Sequence, residues 1–192
     1  MSDKITLRKQ ILRIRASLPP HILRRSGIAA AEKLAAMKQF IDAKTVMAYM
    51  DFRNEVPTGM IIERIRSSGK KLVLPFTDKN FNIIPYEIPE EGKLTDYLVT
   101  SAYGIAEPDP NLCREADPSS IDLIIIPGSA FDQYENRMGY GKGCYDRFLA
   151  GLPSVSFKLA LAYDFQVLPC IPADPTDVRM DMILTISTAD AL

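Results

Sequence analysis

The chain has 192 residues, of which 47% are hydrophobic, and its formal net charge at pH 7 is -1. This balance lacks the basic excess of a protein that coats nucleic acid, so we expect small-molecule substrates and no nucleic-acid partner. No apolar run approaches the ~18 residues that a membrane-spanning helix needs, and the charged amino terminus is unlike a signal peptide, so we expect no membrane association.

The three cysteines also indicate a compartment. Cys113, Cys144 and Cys170 are far apart, odd in number and never in a CxxC pair. This pattern predicts neither a disulfide framework nor a structural zinc site. We therefore expect a reduced, cytoplasmic protein. The length and hydrophobic content predict one domain over residues 1–192, and the expected form is a monomer.

The amino-terminal part of the chain predicts helices. A first helix, which Ser2 or Asp3 can cap, runs to about Ser17. The Pro19–Pro20 pair then interrupts the chain before an alanine-rich second helix that extends to about Phe40. We expect these helices to precede the central sheet.

The rest of the chain alternates apolar strands with helical segments. Strands are predicted at residues 44–50, 71–75, 121–127, 156–164 and 181–187, with helices from Pro57 to about Gly69 and over residues 144–151. The runs within residues 76–120 are shorter and contain proline and glycine, which favours an antiparallel or edge excursion. Together these elements predict an α/β fold, a Rossmann-like three-layer sandwich with a largely parallel sheet and a helical amino terminus.

Residues 137–147, RMGYGKGCYDR, carry the most informative motif. Its glycines stand at alternate positions, namely Gly139, Gly141 and Gly143. Glycines allow backbone N–H groups to approach an anion, Lys142 supplies a positive charge, and Asp146 can hold a magnesium ion that bridges phosphate oxygens. The preceding apolar strand would place this loop at the ligand-binding edge of a parallel sheet.

The glycine loop could instead be only a tight connection between two elements. Arg137, Lys142, Asp146 and the buried strand before them nevertheless favour phosphate binding. The loop is not a Walker A motif, because a glycine rather than Ser or Thr follows Lys142. The GxGxG spacing also differs from the GxGxxG dinucleotide fingerprint.

Several residues outside the loop could also contact a ligand. Lys4 and Arg8 lie one helical turn apart and could hold phosphates, or they could form an ordinary solvated helix face. Glu55 follows the first strand and could either bind a ligand or interact with the next helix N-terminus. Asp177 could be a turn former or a second metal ligand beside Asp146.

The histidine content disfavours nucleophilic catalysis. His21 is the only histidine and is predicted to be an exposed side chain on the second helix. A Cys–His mechanism with Cys144 would need its base on that helix. Phosphoryl transfer does not need a histidine, because it depends on positioning and on stabilisation by cations.

The segment FDQYENRMGYGKGCYDRFL, preceded by IIIPG, resembles the signature of the 5-formyltetrahydrofolate cyclo-ligases, also called methenyltetrahydrofolate synthetases. Supporting matches run along the chain: KITLRKQILRIR, NEVPT, KLVLP, YGIAEP and PTDVRMDMILT. The resemblance implies that 5-formyltetrahydrofolate is cyclised to 5,10-methenyltetrahydrofolate with ATP and Mg²⁺. Phosphorylation of the formyl oxygen would be followed by attack of N10.

The resemblance also implies roles for individual residues. The ATP-binding set would be Lys4, Arg8, Arg137, Gly139, Tyr140, Gly141, Lys142, Gly143 and Tyr145, with Lys142 and Arg137 as catalytic residues. The folate site would contain Met50, Glu55, Tyr140 and Cys144. Asp146 and Asp177 would hold the magnesium ion.

Three positions differ from the usual family pattern. The family usually has glycine at Glu135, tyrosine at Cys144 and histidine at Thr176. We expect Glu135 to point outward, because its carboxylate would repel a nearby triphosphate. The Cys144 substitution removes an aromatic ring next to the expected folate pocket. Together the three changes leave open a related ATP-dependent enzyme that acts on another formylated or amide substrate, and a nucleotide-responsive binding protein is a further alternative.

Overall fold

The computed structural model describes residues 2–153 and 155–188, except for the side chains of residues 2 and 3. The helices are α1 (Ser2–Ala16), α2 (Pro20–Ala35), α3 (Lys38–Asp42), α4 (Gly59–Ser67) and α5 (Cys144–Ala150). The strands are β1 (Thr45–Met47), β2 (Lys71–Thr77), β3 (Ile83–Ile88), β4 (Leu98–Thr100), β5 (Ala106–Pro108), β6 (Arg114–Glu115), β7 (Leu123–Ile126), β8 (Ala130–Asp132), β9 (Arg137–Met138), β10 (Phe157–Tyr163), β11 (Val167–Leu168) and β12 (Met182–Ile186).

The main sheet has the strand order β12-β10-β7-β1-β2-β3-β6. The five strands from β12 to β2 are parallel to their neighbours, and only β3 and β6 add antiparallel pairs at one edge. The chain builds the sheet from β1 outward, first to β2 and later in the opposite direction to β7, β10 and β12. The predicted largely parallel α/β sheet is therefore confirmed.

Successive side chains along the parallel strands point to opposite faces of the sheet, so each face has its own hydrophobic core. In β1, Val46 packs with the first core and Met47 with the second; in β7, Ile125 and Ile126 divide in the same way. The first core is covered by α2 and α4, while Leu149 of α5 covers the second. Strands that are buried on both faces need continuous apolar sequence, and the three predicted layers follow from this pattern.

Several predicted element limits were wrong in detail. The second helix does not continue to Phe40: it ends at Ala35, the backbone extends at Met37, and the short α3 then buries Phe40 in the core. Helix α4 begins at Gly59 rather than Pro57, since the Asp51 carboxylate accepts a hydrogen bond from the Thr58 N–H at 2.9 Å and holds the turn before the helix.

The predicted edge excursion is confirmed within residues 76–120. Strand β3 pairs antiparallel with β2 over six residue pairs, and β4 and β5 form a separate hairpin. The small sheet of β11, β8 and β9 was not predicted from the sequence. It matters because β9 leads directly into the glycine loop.

The two ends of the chain are only partly described. The expected capping by Ser2 or Asp3 falls on side chains outside the described set, and the expected domain ends, residues 1 and 192, lie outside the described residues. Within the part of the chain that the structure describes, no helix is both long and apolar enough to cross a membrane.

In the turn after β7, the packing around Gly128 leaves no room for a larger side chain. A Cβ atom at Gly128 would lie 2.5 Å from Cζ of Phe131, and the Phe131 side chain is fully buried. We expect Gly128→Ala to lower the free energy of unfolding by about 2 kcal/mol, a typical cost of overpacking. Urea denaturation measures this change. The matched control is Gly59→Ala, whose Cβ would meet open space and should leave stability equal or higher; equal stability of the two variants would contradict the packing described.

Candidate functional site

The site lies at the point where the strand order of the sheet reverses, between β1 and β7. After β1 the chain turns to one side of the sheet, and after β7 it continues on the other, so the segments that leave these neighbouring strands diverge. Ligands of open α/β sheets bind in the crevice at this switch point. A cavity of about 670 Å³ opens here, a volume within the range of small-molecule sites.

The glycine loop between β9 and α5 forms one wall of the cavity. Gly141 and Gly143 adopt left-handed backbone conformations, with φ of 98° and 65°, which side chains rarely tolerate. A Cβ at Gly141 would lie 3.4 Å from the Arg8 guanidinium, and Arg8 Nε donates to the Gly139 carbonyl at 2.9 Å. The glycines therefore let α1 approach the loop backbone closely.

The structure brings four basic side chains from separate parts of the chain to this cavity: Lys4, Arg8, Arg137 and Lys142. Arg137 is only 4% exposed; its Nη2 donates to Asp146 Oδ1 at 2.9 Å, while its buried Nε has no partner within the described residues. Lys142 forms no ion pair there either, and its ammonium lies 4.6 Å from the centroid of the Phe81 ring. Both cations have unused capacity for an anion.

The two predicted metal ligands are also brought to the cavity. Asp177 Oδ2 accepts from Lys4 Nζ at 3.0 Å and from the Asp174 N–H at 2.7 Å. Burial opposes ionisation of Asp177, but these donors outweigh it and hold the pKa of the carboxyl below its ordinary value. Asp177 closes a turn with Asp174 as well, so the turn-forming role and the cavity position coexist.

A partly buried hydrogen-bond chain links α1, Tyr140 and Glu55. Arg15 Nη2 donates to the Tyr140 hydroxyl at 2.7 Å, and this hydroxyl donates to Glu55 Oε1. Glu55 Oε2 accepts from the Phe52 N–H at 3.0 Å. Burial raises the pKa of Glu55, although Tyr140 and then Arg15 act in the opposite direction. Glu55 is thus held by the loop and α1, not by the N-terminus of α4.

Sequence reasoning missed Arg15, which is 1% exposed. Its guanidinium also donates to the backbone carbonyls of Arg53 and Gly128, so one side chain joins the segments that follow β1 and β7. A signal was present: Arg15 stands four residues after Ile11 and therefore shares its buried helix face. An arginine on an apolar stripe usually has specific buried partners.

Apolar and aromatic side chains also line the cavity. Met50 and Cys144, both predicted to contact folate, are among them, and so is Tyr145, whose ring centroid lies 5.5 Å from the Arg137 guanidinium. Phe81 and Tyr103 were not predicted; their rings lie 6.3 Å apart at 37°. Both lie within residues 76–120, where isolated aromatic residues stand between turn residues. No periodic pattern there indicated which of them would face a ligand.

The side chains that a nucleophilic mechanism would use are poorly suited to it. His21 is exposed on α2, and burial raises the pKa of the Cys144 thiol. A thiol with a raised pKa is a poor nucleophile at neutral pH. The cations, carboxylates and glycines of the cavity are instead suited to positioning and neutralising charged ligands.

Comparison with known proteins identifies the family. Residues 1–186 match the model of the 5-formyltetrahydrofolate cyclo-ligase family. The chain belongs to this family. It is 31% identical over 181 residues to the mouse 5-formyltetrahydrofolate cyclo-ligase, with 90% of this chain and 87% of the mouse protein covered.

Solved structures agree with the family match. The NMR structure of the Aquifex aeolicus 5,10-methenyltetrahydrofolate synthetase has a TM-score of 0.82 at 31% identity, covering 95% of this chain and 89% of that one. The Mycoplasma pneumoniae 5,10-methenyltetrahydrofolate synthetase has a TM-score of 0.76 at 28% identity, covering 94% and 97%. The similarity therefore extends over the whole fold rather than the glycine loop alone.

The three departures from the family pattern have definite positions. Glu135 is exposed, as expected, and its φ of 59° is the left-handed conformation that a glycine would adopt more readily. Cys144 is the first residue of α5 and lines the cavity. Thr176 is exposed in the turn before Asp177. Only Cys144 therefore changes the surface of the cavity itself.

The raised pKa of Glu55 predicts a pH-dependent stability difference. The folded-state pKa lies above the ordinary value of 4.5, so the contribution of Glu55 is fully present below pH 4.5 and is lost as the pH rises through the folded-state pKa. Glutamine cannot ionise. We expect wild-type stability, measured relative to Glu55→Gln by urea denaturation, to fall from pH 4.5 upward by about 1.4 kcal/mol per unit of pKa shift.

The control for this measurement is Glu91→Gln, at an exposed position. Its stability should follow the wild-type protein across the same pH range. A wild-type to Glu55→Gln difference that stays constant, or that grows with pH, would contradict the buried position of the Glu55 carboxylate.

Proposed function

We propose that this protein cyclises 5-formyltetrahydrofolate to 5,10-methenyltetrahydrofolate, with conversion of ATP to ADP and phosphate. One observation carries the proposal. Basic side chains of α1 and of the glycine loop line one cavity together with aromatic and apolar side chains. Such a cavity suits a triphosphate beside a flat, partly apolar cofactor.

The triphosphate would lie along the glycine loop. Arg8 is already positioned there by its bond to Gly139, and Lys142 can leave the Phe81 ring for a phosphate oxygen because it has no ion pair to break within the described residues. Arg137 lines the same cavity and contributes its positive charge there. Because phosphoryl transfer depends on positioning and on neutralisation of charge, we assign Lys142 and Arg137 to the transferred phosphoryl group.

The carboxylates of Asp146 and Asp177, which line the same cavity, are compatible with magnesium binding. Among the described residues, the hydrogen bonds that Asp146 and Asp177 accept fall on one oxygen of each carboxylate, Oδ1 and Oδ2 respectively. Magnesium commonly takes one or two carboxylates together with substrate phosphates. No cluster of three candidate ligands occurs in the described part of the chain, so phosphate oxygens would complete the set. Bound there, the ion would neutralise charge that develops on the phosphates.

The chemistry then needs no enzyme nucleophile. The formyl oxygen attacks the terminal phosphorus of ATP, and ADP leaves. N10 attacks the activated formyl carbon and loses its proton, and the bond from that carbon to oxygen breaks with release of phosphate. The protein holds the reacting groups in contact and excludes water, which agrees with the raised pKa of the Cys144 thiol.

The folate would occupy the remaining part of the cavity. Met50, Glu55, Tyr140 and Cys144 line it there, and Tyr140 also belongs to the glycine loop, so it would contact both substrates. Arg15 and Glu55 fix the hydroxyl of Tyr140 from below. We further propose that residues 1–192 act as one domain and that the protein works as a cytoplasmic monomer on small-molecule substrates.

The direct test is a turnover assay with 5-formyltetrahydrofolate and Mg-ATP, in which the methenyl product is followed by its absorbance. We expect product to form only when ATP is present. Lys142→Met should lower kcat/KM by about a hundredfold to a thousandfold, the usual cost of losing one group that stabilises charge in the transition state. Lys9→Met, an exposed position next to Arg8 on α1, is the matched control and should retain wild-type rates.

The same assay separates the two alternative functions. ATP hydrolysis that depends on another formylated or amide compound, without a methenyl product, would indicate a related enzyme with a different substrate. Tight ATP binding without any substrate-dependent ADP would indicate a nucleotide-responsive binding protein. Either outcome rejects the proposed activity.

The metal assignment is tested with Asp146→Asn. Asparagine keeps an oxygen that can accept from Arg137 but loses the negative charge that a magnesium ion requires. We expect kcat to fall by about two to three orders of magnitude, corresponding to several kcal/mol of lost metal stabilisation. The variant should stay folded at the assay temperature, with a lowered melting temperature because the buried Arg137 loses its charged partner. In equilibrium titrations, Mg²⁺ should strengthen ATP binding to the wild-type protein but not to this variant. Wild-type turnover in Asp146→Asn would refute the assignment.

A further inference from the structure

A buried carboxylate at the apolar end of the cavity has no role in the function described above. Glu107 lies in β5, opposite Val99 of β4, and is 6% exposed. It lines the cavity together with Thr77, Ile83 and Ile105. Charged residues are rarely buried in such surroundings unless they are paired.

The protein supplies hydrogen-bond donors to only some of the acceptor positions of the Glu107 carboxylate. Thr77 donates hydrogen bonds to it from its hydroxyl and its backbone N–H, while burial still raises the pKa of Glu107 above its ordinary value. Among residues 2–153 and 155–188, no lysine or arginine forms an ion pair with it. An ionised carboxylate has about four acceptor positions, so Thr77 leaves capacity for further donors. A ligand in the cavity can supply them.

The geometry points to Glu107 as the acceptor for the 2-amino group and the N3–H of the pterin ring of 5-formyltetrahydrofolate. This assignment rests on the proposed function. The pterin edge presents two adjacent N–H donors, which match the two oxygens of one carboxylate. Adenine is a poorer match, because its amino group stands between two acceptor nitrogens that would face the second oxygen.

The assignment also orients the substrate for reaction. The N5 atom that carries the formyl group belongs to the second ring of the pterin, on the far side of C4 from N3. A ring whose 2-amino group and N3–H are bound by Glu107 therefore places its formyl group farther from β5 than those two donors. Phe81 links the two ends of the cavity: its ring contacts Tyr103, four residues before Glu107, and the ammonium of Lys142. The orientation thus brings the formyl oxygen toward the cations of the glycine loop.

The experiment compares two substrates in wild-type protein and in Glu107→Gln. One is 5-formyltetrahydrofolate, and the other is its 2-desamino-2-methyl analogue, which lacks the amino donors. For the natural substrate, we expect Glu107→Gln to raise KM by about tenfold to a hundredfold, the loss of one or two charge-assisted hydrogen bonds. The KM for ATP should stay unchanged. For the analogue, which keeps N3–H, the same substitution should raise KM by a clearly smaller factor, because one of the two donors to Glu107 is already absent.

The control is Glu91→Gln, at an exposed position, which should leave all three KM values unchanged. An equal effect of Glu107→Gln on both folates, or a selective rise in the KM for ATP, would overturn the assignment. Should Glu107→Gln fail to fold, Glu107→Asp keeps the charge but withdraws it by one methylene. A larger loss on the natural substrate than on the analogue supports the assignment, and an equal loss on both substrates overturns it.

Equilibrium binding of 5-formyltetrahydrofolate, measured with a non-hydrolysable ATP analogue, separates this inference from the proposed function. Turnover by the wild-type protein with no selective effect at Glu107 would overturn the inference alone. Glu107-dependent binding without turnover would reject the proposed activity and support the inference. Absence of folate binding by the wild-type protein would overturn both.

Discussion

The attachment of α1 to the carboxyl edge of the sheet is the constraint on which the site depends. Three basic side chains along this helix reach segments more than 100 residues away: Lys4 contacts Asp177, Arg8 the Gly139 carbonyl, and Arg15 both Gly128 and Tyr140. Without these contacts the glycine loop would lose the cations that α1 contributes, and Tyr140, which donates to Glu55, would lose its own donor, Arg15. The helix therefore assembles the cavity as well as covering it.

The cavity separates two kinds of chemistry over a short distance. At the loop, cations and carboxylates neutralise one another: Arg137 with Asp146, and Lys4 with Asp177. Such pairs keep charged side chains in place before a ligand arrives, and a triphosphate with magnesium can exchange partners with them at little cost in net charge. Glu107 also lines the cavity, with Thr77 and the apolar Ile83 and Ile105, and forms no ion pair with any of the described residues. The cavity therefore suits a highly charged triphosphate at the glycine loop and a largely apolar ring system near Glu107.

Much of this organisation was predictable from local sequence. The apolar run before the loop identified a strand buried on both faces, and the glycines with Lys142 and Asp146 indicated a phosphate site. The features that could not be predicted from the sequence are those that depend on tertiary packing. Phe40 turned inward and interrupted a predicted long helix. The strands β8, β9 and β11 are only two or three residues long, too short to show a period. Arg15 and Glu107 acquire their importance from neighbours distant in sequence, so composition alone indicated little about them.

The most direct measurement of the central claim is a crystal structure of the protein with a non-hydrolysable ATP analogue, Mg²⁺ and 5-formyltetrahydrofolate. The account predicts that the terminal phosphate lies against the glycine loop, within hydrogen-bond distance of Lys142, and next to the formyl oxygen. A triphosphate bound elsewhere on the protein, or a formyl group directed away from the terminal phosphate, would contradict it.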